Sequence, residues 1–117
     1  MNYTNREVLE FLEGHLEKLE FLSTKTDIYN YLHGLGIENQ VLMITLMYLG
    51  RDYDEDPENS AFWGNNEEIV NDFKSVYDKY YRHWGDDVHV VDQMVSKVPF
   101  LDYLRSGRRI LKKLYNL

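Results

Sequence analysis

Two histidines and three aspartates fall within ten residues of one another, His83, Asp86, Asp87, His89 and Asp92, and they are the first place to look for chemistry. Imidazole and carboxylate together can ligate a divalent ion, and a bound ion would make a metal-assisted hydrolase. Their spacing favours a plainer role. His83 ends one predicted helix and His89 begins the next, and the single Asp-x-x-His, from Asp86 to His89, lacks the second copy that a bundle metal site places on a facing helix. Helix caps flanked by surface histidines account for the same residues.

The run Asp52, Asp54, Glu55, Asp56, Glu58 alternates acids in the manner of a calcium loop. The sixth and twelfth positions of such a loop require Gly and Glu, and here they are Pro57 and Trp63. A solvated acidic segment is expected instead. Phe62 and Trp63 stand out in it, because aromatic residues beside a patch of one charge are the usual anchors of a protein interface.

His15 lies on the apolar face of the first helix near Leu12 and Leu19, with no acid or nucleophile placed by local spacing to orient it. A core or boundary histidine is expected there. His33 sits beside Gly34, where a helix C-terminus favours a positive side chain. The chain has no cysteine. Gly-x-Ser-x-Gly, a phosphate loop and a dinucleotide fingerprint are also missing, so no motif supports an enzyme. No cofactor is implied.

The elements that must position these residues are helical. Thr4 and Glu7 form a capping box, with Tyr3 and Val8 at the positions of a hydrophobic staple. Val8, Leu12, Leu16 and Leu19 then share a face of a helix from about Asn5 to Leu22. Ser23 to Thr26 reads as a link with capping residues, followed by a short helix carrying Ile28, Tyr31 and Leu32 that Gly34 should end in the left-handed conformation. From Val41 to Leu49 the chain is almost entirely apolar and rich in Leu and Met, which favours a buried central helix closed by Gly50 over a strand. Arg51 to Gly64 is polar, with Asp56-Pro57 placed to start a helical turn.

Asn65 or Asn66 then caps a helix bearing Ile69, Val70, Phe73, Val76, Tyr77, Tyr80 and Trp84, which Gly85 ends. Asp86 or Asp87 is expected to cap the next, with Val88, Val91, Val95 and Val98 on its inner face and Pro99 as its limit. The last helix starts near Pro99 and keeps Phe100, Leu104, Leu111 and Leu114 in register if it continues through Gly107. One all-α domain, a bundle of five or six helices, is the expected architecture. The 117-residue length suits a single core.

Thr26 to Leu49 has the outline of a helix-turn-helix, but its second helix is too apolar to face a nucleic-acid groove. The formal net charge of -7 also disfavours nucleic acid and anionic membranes as partners. That charge is unevenly spread. Asp52 to Asp72 holds eight acids and no Lys or Arg, whereas after Asp102 come Arg105, Arg108, Arg109, Lys112 and Lys113 with no acid. These five form a basic face that can contact phosphate or an acidic partner, or simply complement the dipole of the helix they end. The N-terminus has neither the basic start nor the apolar stretch of a signal peptide, and no apolar run approaches the roughly 20 residues of a membrane helix. A soluble, cytoplasmic protein is expected.

Leu46-Met47-Tyr48-Leu49-Gly50-Arg51-Asp52 and Pro99-Phe100-Leu101-Asp102-Tyr103-Leu104-Arg105-Ser106-Gly107 resemble segments of a small, uncharacterised bacterial all-α domain family. In that family a buried helix ends in Leu-Gly-Arg, an acidic loop containing Trp follows, and a later helix reads Pro-x-Leu-x-Asp-Tyr-Leu-x-x-Gly. The resemblance spans roughly residues 37 to 111. It implies an all-α fold and a bacterial or phage source, and it brings no catalytic residues, because the family has no known activity to carry over. It draws attention to Arg51, Asp102 and Tyr103, with an Arg51–Asp102 ion pair as the simplest link between the two motifs. The basic stretch from Arg108 to Lys113 and the longer acidic loop depart from the family pattern.

The functional expectation is a small binding protein, an adaptor, inhibitor or immunity-type factor, that docks a basic protein partner through Asp52, Asp54, Glu55, Asp56, Phe62 and Trp63. The alternatives are the metal-assisted hydrolase and nucleic-acid contact through the basic C-terminal face.

Overall fold

The computed structural model describes residues 2–52, 73–97 and 99–117, and these form six α-helices and no strand. α1 (Asn5–Glu20) opens on the reciprocal capping box, in which the Glu7 amide donates to Thr4 Oγ1 and the Thr4 amide to Glu7 Oε1, each at 3.2 Å. Val8, Leu9, Leu12, Leu16 and Leu19 are its buried face. The Tyr3 ring lies 6.1 Å from that of Phe11, one turn beyond the expected staple partner Val8. The helix ends two residues short of Leu22. Its last turn tightens, with Phe21 N–H donating to Lys18 O and Leu22 N–H to Leu19 O, and the Phe21 side chain stands in solvent.

α2 (Lys25–His33) is capped by Thr24, whose Oγ1 accepts the Asp27 amide at 3.1 Å. Gly34 does not adopt the left-handed conformation expected of it; its φ is -73°, and Gly36 turns the chain at φ +79°. A buried side chain explains the difference. Gln40 Nε2 donates to the carbonyls of Leu32 at 3.1 Å and His33 at 3.3 Å, so the end of α2 is satisfied without a left-handed closure.

α3 (Ile37–Asp52) is the central helix, and every residue from Gln40 to Leu49 is buried. Gly50 does not close it. The helix continues to Asp52 because Gly50 is where another helix crosses. α4 (Phe73–Trp84) buries Phe73, Val76, Tyr77 and Tyr80. The expected cap at Asn65 or Asn66, together with Ile69 and Val70, lies outside the described residues.

α5 (Val90–Val95) starts later than expected and has no side-chain cap from Asp86 or Asp87. Those residues belong to a turn in which Asp87 N–H donates to Trp84 O and Asp87 Oδ1 accepts the His89 amide at 2.8 Å. Val88 is accordingly 77% exposed, and the inner face of α5 is Val90, Val91 and Met94. Val98 is outside the described residues. α6 (Phe100–Leu114) begins directly after Pro99 and runs unbroken through Gly107, burying Phe100, Leu104, Gly107, Ile110 and Leu111.

α3 packs on α4, α5 and α6, the last being its most extensive contact, while α1 lies against α6 and α2 against α5. The buried apolar side chains of all six helices form one core. A layer of helices around the buried middle of α3 is how a chain of this size covers a segment that is apolar on every side.

Candidate functional site

The End of α3 is a joint between three helices. Tyr48 and Tyr80 stack at 5.7 Å between ring centroids, Gln93 Nε2 donates to Tyr48 Oη at 3.0 Å, and the Arg51 guanidinium lies 4.6 Å over the Tyr48 ring. This ties the last turn of α3 to α4 and α5 with contacts of aromatic and cation–π type. The acidic stretch leaves the described structure just after this joint and rejoins it at Phe73, which is fully buried. Asp54, Glu55, Asp56, Phe62 and Trp63 lie outside the described residues, and of Asp52 only the helical backbone is described.

Arg51 does not pair with Asp102. The Asp102 carboxylate instead accepts from Arg105 Nη1 at 2.7 Å, and Arg105 Nε donates to Glu20 Oε1 at 3.1 Å. Asp102 is one helical turn from Arg105, and the α1–α6 contact brings Glu20 to its other side. Arg105 is thus neutralised by two acids and joins the end of α1 to α6. Arg109, Lys112 and Lys113 are exposed farther along α6, while Arg108 is half-buried. The basic residues share the outer side of an amphipathic helix whose inner side is Leu104, Gly107, Ile110 and Leu111.

The His and Asp residues near α5 do not converge on a point. His89 Nδ1 is 3.2 Å from Asp92 Oδ2 at an exposed site, Asp87 bonds the His89 backbone, and the His83 ring meets the edge of Trp84 at 4.8 Å. Among the described residues no three His, Asp or Glu side chains are grouped so as to hold a metal ion. The helix-turn-helix outline is present as α2, the Gly34–Gly36 turn and α3, but residues 40–49 of α3 are buried and cannot face a groove.

One pairing has no counterpart in local spacing. His15 Nδ1 is 2.6 Å from Tyr31 Oη, between α1 and α2, with the Phe11 ring packed edge-on to the imidazole at 4.5 Å. Burial, and then the nearby Lys18 charge, lower the His15 pKa, while burial raises that of Tyr31. Both shifts favour the neutral forms. The phenol donates to Nδ1 when the ring proton is on Nε2. The pair has the polarity of a proton relay but, among the described residues, no third hydrogen-bonding group to orient it, and its geometry fits a helix-to-helix tie. Apolar spacing located His15; nothing local could name Tyr31.

No family model matches the chain, nor does any curated protein or solved structure. The resemblance to the small bacterial domain family therefore rests on its two motifs. Both lie in helices that cross each other.

Proposed function

We propose that this protein is a non-enzymatic binding factor, of the adaptor, inhibitor or immunity type, that docks a basic protein partner through the segment from Asp52 to Trp63. The observation that carries the reading is the charge pattern: eight acids and no Lys or Arg from Asp52 to Asp72, with Phe62 and Trp63 among them. Clustered charge of one sign speeds encounter with a partner of the other sign, and an aromatic side chain supplies the buried anchor that slows departure.

The test is affinity capture from the source cell, with nuclease and moderate salt, comparing the natural chain with Trp63→Ala and Asp54→Lys. A protein retained in stoichiometric amount by the natural chain and weakened at least about tenfold by either substitution supports the reading. Retention of the same partner by both variants overturns it. The two substitutions should also separate kinetically, Asp54→Lys slowing association and Trp63→Ala speeding dissociation.

A further inference from the structure

Where the α1–α2 corner meets the α5–α6 corner, the helices leave a cleft of about 350 Å³. The cause is local. α5 stops at Val95, Ser96 and Lys97 close its last turn through Asp92 O and Met94 O, and Phe100 N–H donates to Lys97 O to start the turn into α6. Opposite, Thr24 caps α2 and sets Lys25 as that helix's first residue. The two corners do not close on each other here, and a cleft remains between them.

The lining combines apolar and charged side chains. Ile28, Val95, Phe100 and Leu101 provide an apolar surface, and among the described residues the charged lining is Lys25, Lys97, Arg105 and Asp102. Arg105 is already held by Asp102 and Glu20. Lys25 and Lys97 have no carboxylate partner among the described residues. Two uncompensated cations from different elements therefore border one apolar cleft in a chain of net charge -7. A volume at the lower end of the usual range for small-molecule sites, roughly 300–1,000 Å³, suits a ligand smaller than a nucleotide.

We propose that this cleft binds a small organic anion, a carboxylate with an apolar tail, its head group between Lys25 and Lys97 and its tail on Ile28, Val95 and Leu101. An exposed Lys25 and a half-buried Lys97 alone would hold such an anion weakly. The apolar wall supplies the remaining affinity by removing the tail from water and makes the site selective for amphiphilic anions over inorganic ones. This site is separate from the acidic segment and does not depend on the protein-binding reading.

The experiment is a titration of the full chain with sodium octanoate, followed by backbone amide NMR, with octanamide and inorganic phosphate titrated in parallel. The expected result is saturable shifts confined to the Ser23–Ile28 and Val95–Arg105 stretches, with a dissociation constant on the order of 1 mM for a ligand this small. Octanamide and phosphate should each bind at least about fivefold more weakly, since one lacks the charge and the other the tail. Lys25→Gln and Lys97→Gln should each weaken octanoate at least about threefold, and exposed Lys112→Gln should not. The unchanged part of each spectrum shows that the variants are folded. Absence of saturation up to about 10 mM octanoate, equal binding of octanamide or phosphate, or binding indifferent to both lysine substitutions would overturn the proposal.

Discussion

Gly50 of α3 and Gly107 of α6 face each other at the crossing of the two helices that pack most extensively. A Cβ on Gly50 would run into the Tyr103 carbonyl and come within 2.6 Å of the Gly107 nitrogen, and one on Gly107 would come within 2.6 Å of the Leu46 carbonyl. Glycine within a helix costs about 1 kcal/mol relative to alanine. Here that cost is offset by backbone-to-backbone contact that any side chain would prevent.

Gly50→Ala should therefore destabilise the protein by on the order of 3 kcal/mol, with Gly107→Ala smaller because its nearest obstruction is less severe. Gly14, in mid-α1, has nothing within 4 Å of a built Cβ. Gly14→Ala should stabilise by about 0.5–1 kcal/mol through helix propensity alone. Urea denaturation of the three variants checks the contrast, and equal effects at Gly14 and Gly50 would refute the close crossing.

The His15–Tyr31 pair predicts a pH dependence. Because the folded pKa of His15 lies below its unfolded value near 6.5, the unfolded chain binds the proton more tightly in that interval. The His15 contribution is at its full value above the unfolded pKa and is lost as pH falls through 6.5 toward the folded pKa. His15→Gln should flatten this part of the stability profile between pH 7.5 and 5, measured from urea midpoints. A profile of unchanged slope would mean that the imidazole is not desolvated.

Tyr77 is buried in the core, and its hydroxyl donates to the Glu38 carbonyl at 3.2 Å. Burial first, then nearby charge led by Glu38, push its pKa up to about 12. Its contribution is complete below the unfolded value near 10 and is lost as pH rises from there toward 12. Tyr77→Phe should cost about 1 kcal/mol at neutral pH, the usual net worth of one such bond, and should remove this alkaline component. Spectrophotometric titration compared with pH-dependent unfolding measures both.

Gln40 closes α2 from eight residues away. Gln40→Leu keeps the packing volume but deprives the Leu32 and His33 carbonyls of their donor, and a loss of about 1–2 kcal/mol is expected. Amide exchange at Gly34 and Leu35 should accelerate more than exchange in α1. Uniform acceleration in both helices would count against a local capping role.

Sequence alone determined what depends on residues three or four apart. The Thr4–Glu7 box, the Thr24 cap, the inner faces of α1 and α6 and the burial of residues 41–49 follow from helical periodicity and from hydrogen bonds that a turn can close by itself. The charge asymmetry between Asp52–Asp72 and the C-terminal helix is likewise a property of the sequence. Tertiary structure decided the contacts that need two distant elements at one place. It made Gly50 and Gly107 a crossing instead of a stop and a weak point, brought Glu20 to Arg105, and paired His15 with Tyr31. It also brought Lys25 and Lys97 to the border of one open cleft. Local patterns carry no information on how helices cross, and the crossing alone fixes which glycines must be small, which charges meet and where a cleft remains.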